Sequence, residues 1–262
     1  MASAIAAALA AGVLAACGRI GFDPVGGDGA RAIDGGSGTS IAFVQATPVA
    51  NEPDDVSATA TFSSPPRAGD LVVVAAWTFA AGTMPEASGF TDSAGNVYEL
   101  ASSVTTTACA TGHGALAIYD AIAGSGQAAL QVTYTPIGAS DQEIDVMALE
   151  YTGVSALDRA AMLVTPAGTS PHMFSSGTTA ALSVNNELLV GAGFSCSGSP
   201  GTVELTDDSG FTTRGERNTT QNDSPGIVGD NIVDHGGTAT DTWTATYGTD
   251  NEVELGAIAT FR

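Results

Sequence analysis

The sequence predicts an all-β protein, a jelly-roll-like β-sandwich built from two related halves. Three observations carry this. The first is the run Leu71-Val72-Val73-Val74-Ala75-Ala76-Trp77, introduced by Gly69-Asp70 and bounded by Pro65-Pro66-Arg67-Ala68 before and Ala81-Gly82-Thr83 after. It is rich in β-branched Val and too short for a membrane-spanning helix, so it reads as a strand buried on both faces. The second is its recurrence as Asn186-Glu187-Leu188-Leu189-Val190-Gly191-Ala192-Gly193-Phe194, with turn residue, acid, apolar run and aromatic in the same order. The third is spacing: short apolar or alternating runs recur every 8–15 residues or so between Gly-rich turns, and no convincing three-turn helix interrupts them.

In chain order, residues 2–16 are small and apolar. Fifteen residues rise too little to cross a bilayer as a helix and suit the apolar core of a secretory signal. Gly18 to Ser40 carry eight glycines and several Asp. Such a segment is a flexible tether, with ends roughly 25–30 Å apart. From Ile41 the pattern becomes β. Ile41–Ala46 is a short strand, and Ser57–Ser63 alternates small and polar residues as a half-exposed strand does. The central strand comes next. Ser93-Ala94-Gly95-Asn96 turns the chain, and Val97–Leu100 and Gly114–Tyr119 resume pairing. Gly124-Ser125-Gly126 turns into Leu130–Thr135, and Asp145–Tyr151 closes the half. Val154–Ala160 has room for one short helical turn.

The halves, about 57–154 and 178–262, align on six anchors. Thr178–Ser183 matches the strand at 57–63, and Asn186–Phe194 matches Gly69–Trp77. Ser209-Gly210-Phe211-Thr212 repeats Ser88-Gly89-Phe90-Thr91, and Gly229–Ile232 resembles Tyr119–Ile122. Thr246-Tyr247 matches Thr133-Tyr134, and Asp250–Leu255 follows Asp141–Val146 without a gap. Loop insertions between matched strands account for the varying offsets. Packing the halves in one core, a single sandwich from about Ile41 to Arg262, covers the apolar runs most simply. Two tandem immunoglobulin-like modules are the alternative.

The end of the apolar segment, Leu14-Ala15-Ala16-Cys17, resembles a bacterial lipobox. The resemblance implies a signal peptide over 1–16, cleavage before Cys17 and lipid on Cys17. The tether over 17–40 then joins this anchor to the sandwich at 41–262. It implies a chain held on the bilayer of the bacterial cell envelope, at the outer membrane or cell surface. Gly69–Val74, Asp92–Asn96, Ala148–Val154 and Ala257–Arg262 resemble the "GDLLVV", "DSAGN", "ALEYTGV" and "AIATFR" motifs of a module of bacterial surface and phage-associated proteins. That resemblance implies no catalytic residues.

Composition narrows the partners. The net charge is −21, with seven Arg and no Lys against 28 Asp plus Glu. Heavy Ala, Gly and Arg use without Lys points to a GC-rich bacterial genome as much as to a functional acidic surface. Either way, such a chain repels nucleic acid, since little neutralises phosphates.

Few residues suggest chemistry. With Cys17 lipidated, Cys109 and Cys196 remain, and an even pair in an exported protein reads as a disulfide. His113, His172 and His235 read as exposed loop residues rather than metal ligands. No Gly-x-Ser-x-Gly, His-Glu-x-x-His or phosphate-binding loop occurs, and no cofactor is expected. Asp54/Asp55, Asp207/Asp208, Glu143/Asp145 and Glu252/Glu254 are candidate carboxylate pairs. In a strand, residues two apart share a face, so the last two pairs read as solvated strand ends ahead of calcium sites. Tyr134 and Tyr247 recur at matched positions and read as core, as does Trp77. Trp243 has no aromatic counterpart and is the aromatic expected to contact a ligand. The expected function is a non-catalytic, membrane-anchored sandwich for interaction, adhesion or glycan binding. A carbohydrate-active enzyme using two surface carboxylates, or a structural envelope protein, are the alternatives.

Overall fold

The computed structural model describes residues 40–53, 57–80, 89–109, 112–125, 129–136, 142–196, 202–218, 225–248 and 252–262. Cys17, the tether and the Asp54/Asp55 pair lie outside them. The regular structure among these residues is all strand. A first set comprises β1 (Ala42–Ala46), β2 (Ala50–Pro53), β3 (Ala58–Thr61), β4 (Leu71–Ala80), β5 (Phe90–Asp92), β6 (Glu99–Thr106), β7 (His113–Ile122), β8 (Gln131–Tyr134) and β9 (Gln142–Thr152). A second comprises β10 (Leu157–Thr165), β11 (His172–Ser175), β12 (Glu187–Cys196), β13 (Val203–Asp207), β14 (Thr212–Arg217), β15 (Gly226–Val233), β16 (Thr242–Tyr247) and β17 (Val253–Phe261).

All pairing is antiparallel. The first set forms a large sheet in the order β1-β9-β4-β7-β6, with β2 continuing β1 along β9, and a small sheet β3-β8-β5. The second set forms β10-β17-β12-β15-β14 and β11-β16-β13. Strand for strand the two orders correspond, with β10 doing in one piece what β1 and β2 do in two. In each set the large and small sheets divide the strands as a jelly roll does. Bulges also correspond. They interrupt β1 between Phe43 and Gln45 and β10 between Leu157 and Arg159, then β6 between Leu100 and Ser102 and β14 between Thr213 and Gly215.

Four layers result, because β4 and β12 are apolar on both faces. Leu71, Val73, Ala75 and Trp77 join Leu188, Val190, Ala192 and Phe194 in one core between the two large sheets. Val72, Val74 and Ala76 point the other way, onto Ala58, Ala60, Val132 and Tyr134 of the first small sheet. The second small sheet places Phe174, Leu205, Trp243 and Ala245 over Ile227 of its own large sheet. Period-two alternation sorts the side chains, and an unbroken apolar run is what a strand needs when both faces are covered. The sandwich is thus the pair of large sheets, each capped outside by a small one.

Some local expectations change. Thr178–Ser183 is not a strand, although Thr179 N and Leu182 N donate to the carbonyls of Ala239 and Gly237. The short β11 precedes it instead. Leu157–Ala160 opens an edge strand rather than a helical turn, because β17 offers it a pairing edge.

The central core is tight where β15 begins. A Cβ on Gly226 would overlap the Trp77 indole, and Trp77 has no exposed surface to move into. Gly226→Ala therefore lowers stability by about 1–3 kcal/mol through overpacking. Urea unfolding measures it, and an unchanged midpoint would show that the indole can shift.

Candidate functional site

The structure places the expected site residues unevenly. Cys109, just beyond β6, and Cys196, at the end of β12, form a disulfide across the two large sheets, with Cα atoms 5.5 Å apart. Trp243 is fully buried and packs on Phe174 with ring centroids 5.1 Å apart, so no ring face is open to a ligand. It lies opposite Asp207 as Val132 lies opposite Asp92, so its counterpart is a buried Val. Tyr134 and Tyr247 are buried, as expected.

The two pairs read as solvated strand ends are mostly buried, Glu143 alone being half-buried. Asp145 is fully buried on the core face of β9, where Arg217 Nη1 donates to it at 2.9 and 3.1 Å. Glu252 and Glu254 are also buried, because the small sheet and its loops cover the end of β17. Glu254 Oε2 lies 3.0 Å from His172 Nδ1, and burial pushes the Glu254 carboxyl up to about 9. Asp207 organises a turn, its Oδ1 accepting from the amides of Ser209, Gly210 and Phe211. Asp92 does the same for Ala94 and Asn96. Asp208 accepts from the Thr244 hydroxyl. No group of three or more potential metal ligands comes together among the described residues. His113 and His172 open strands rather than sitting in loops; His235 is exposed beside Asp234.

Two sites emerge that sequence reasoning passes over. At one edge of the interface between the large sheets, Asp230 Oδ2 accepts from Tyr151 Oη at 2.7 Å and lies 2.9 Å from Arg214 Nε. The Arg214 guanidinium stands 3.7 Å over the Phe43 ring, a cation–π contact. At the opposite edge, Asp120 and Glu99 face each other across β7 and β6 in a cleft of about 500 Å³. Val97, Ile122, Ser155, Ala156 and Leu157 also line it. Burial and the Glu99 charge push Asp120 up to about 6. The signal in the sequence is an acid inside a mainly apolar strand, in Leu116–Ile122 and Gly226–Ile232 alike. In one dimension it serves only to align the two stretches.

Buried acids make stability pH-dependent in a stated direction. Burial lifts Asp241 to about 8 and Glu254 to about 9, against ordinary values near 3.9 and 4.3. Between about pH 4 and these values the folded protein holds protons that the unfolded chain releases. Stability contributed by these groups is thus greatest at the acid end and falls as pH rises. Thermal unfolding is expected at lower temperature at about pH 9 than at about pH 5, and Asp241→Asn flattens the slope. A rise in melting temperature across that range would contradict the assignment.

Together these features define a class: a layered, antiparallel all-β sandwich with a cross-sheet disulfide. Comparison with protein-family models, curated proteins and solved structures finds no match for the chain.

Proposed function

We propose that this is a lipid-anchored protein of the bacterial cell envelope whose sandwich is an interaction module rather than an enzyme. The observation that carries the reading is Leu14-Ala15-Ala16-Cys17, which ends an apolar segment and is followed at once by a Gly- and Asp-rich tether. The acyl group on Cys17 is the bilayer contact, and the tether presents the sandwich to partners outside. A protein surface suits it better than a glycan. The exposed large apolar side chains among the described residues are aliphatic or Met, including Val97, Leu100, Met162 and Met173, and sugars stack on aromatic rings. Correspondence of strand order and bulges supports an internal repeat, with units nearer 42–152 and 157–261 than the spans read from sequence.

Mass spectrometry of detergent-extracted protein tests the anchor. A diacylated Cys17 at the N-terminus is expected, with Cys17→Ser releasing the protein from the membrane. An N-terminus elsewhere, or a Cys17→Ser protein still in the detergent phase, overturns it. A carbohydrate-active reading draws on one observation, the facing Glu99 and Asp120 in a cleft. Hydrolysis of aryl glycosides that is lost in Asp120→Asn would establish it in place of ours.

A further inference from the structure

Asp120 and Asp230 stand at corresponding places in the two strand sets. Asp120 lies opposite Val73 of β4 and Glu99 of β6. Asp230 lies opposite Val190 of β12 and Thr212 of β14. Both point toward the space between the large sheets, at its two opposite edges.

Their surroundings differ in a way that reads as a ligand requirement. Asp230 is supplied from within the chain by the Tyr151 hydroxyl, the Arg214 guanidinium and the Phe43 ring behind it. The register puts Phe261 where Tyr151 is, since these residues face Leu188 and Leu71. It puts Ala101 in the bulge where Arg214 is, and Leu157 where Phe43 is. None of the three can donate a side-chain hydrogen bond or supply a charge. Asp120 is nonetheless only 9% exposed, and its Oδ1 is buried with no hydrogen-bond partner. Glu99 replaces Thr212 and adds a second acid directly across the strand pair. Two facing carboxylates repel each other, which costs stability unless a cation joins them. The cleft is open, and its rim is apolar: Val97 is 81% and Ile122 45% exposed, with Leu157 beside them.

We propose that this cleft binds a guanidinium group carried on a short aliphatic stem, as an arginine side chain does. The planar fork reaches Asp120 and Glu99, as Arg214 reaches Asp230. The stem lies on Val97, Ile122 and Leu157, burying methylenes while the charged head meets the acids. A guanidinium suits two carboxylates better than an ammonium, whose point charge is held more strongly by water. The chemistry is shared by an arginine on a partner protein and by a free alkylguanidine. The inference goes beyond the envelope role and stands whether or not Cys17 is acylated.

The test is a titration of the ¹⁵N-labelled protein at neutral pH with N-acetyl-arginine methylamide, its uncharged citrulline analogue, agmatine and calcium in separate arms. Saturable shifts are expected at the amides of Asp120, Ala121 and Ser155 to Leu157 with the arginine probe and not with citrulline. Asp120→Asn and the surface variant Glu99→Gln are each expected to weaken binding by roughly tenfold or more. Retention of the wild-type spectrum elsewhere shows that a variant is folded. Agmatine binding as well as the arginine amide indicates a free alkylguanidine, and preference for the amide indicates a peptide-borne arginine. Equal shifts with citrulline, binding unchanged in both variants, or saturation by calcium but not by arginine overturns the proposal.

Discussion

Replacing Cys109 and Cys196 together by Ala is expected to lower stability by about 4–5 kcal/mol. The bond closes a loop of 87 residues, and the cost of leaving that loop open falls on the unfolded state through chain entropy. It also joins the two large sheets, so the β6–β7 connection loses its covalent hold on β12. Cys196 is fully buried and Cys109 nearly so, and a reductant reaches them only when the structure opens. Reduction of the wild type is therefore slow without denaturant. Once reduced, the wild type should match the double variant in its urea midpoint. A midpoint that does not move on reduction would mean that the sheets hold together without the bond.

Arg217→Val is expected to cost about 3–5 kcal/mol. It removes the guanidinium from Asp145, whose carboxylate has no solvent to turn to. The register names the apolar alternative. Asp145 faces Trp77 where Leu255 faces Phe194, and Arg217 faces Gly226 where Val104 faces Leu116. The double substitution Asp145→Leu with Arg217→Val copies that apolar pair and should restore most of the lost stability. A buried ion pair exchanged for packed hydrophobic residues is often neutral or better. A double-mutant cycle in urea measures the coupling. If the single variants simply add up to the double, Arg217 and Asp145 do not act as a pair.

The same register marks where the sequence alignment of the two strand sets slips. Matching Asp250–Leu255 to Asp141–Val146 sets Asp145 equivalent to Glu254. The pairing partners show a shift of one residue, and a one-residue shift turns a side chain to the other face. Asp145 therefore enters the central core and meets Arg217, while Glu254 faces the small sheet and meets His172. The match of Tyr134 to Tyr247 is displaced by two residues, which keeps the face, so both are core as expected. The repeated Ser-Gly-Phe-Thr puts Phe90 and Thr91 into β5 in the first set, but in the second it follows β13 and ends on Thr212, the first residue of β14. The turns that do correspond are Asp92–Gly95 and Asp207–Gly210, each led by an Asp that accepts from the amides behind it. Each closes on a glycine at positive φ, 75° and 84°. By contrast, the match of Gly229-Asp230 to Tyr119-Asp120 agrees with the observed register.

By itself the sequence determined that the chain is all β, where its two central strands lie, and that Cys109 and Cys196 are a pair. These follow from local facts: β-branched apolar runs, Gly-rich turns at short spacing, and just two cysteines beyond residue 17. Only the tertiary structure decided which side chains are buried and which stand at a cleft. A strand's alternation says that neighbours point to opposite faces, but not what covers each face. The cover comes from strands distant in sequence, so Trp243 became core under its own small sheet. Asp120 kept an open cleft while Asp230, at the corresponding place, was closed over by Arg214 and Tyr151.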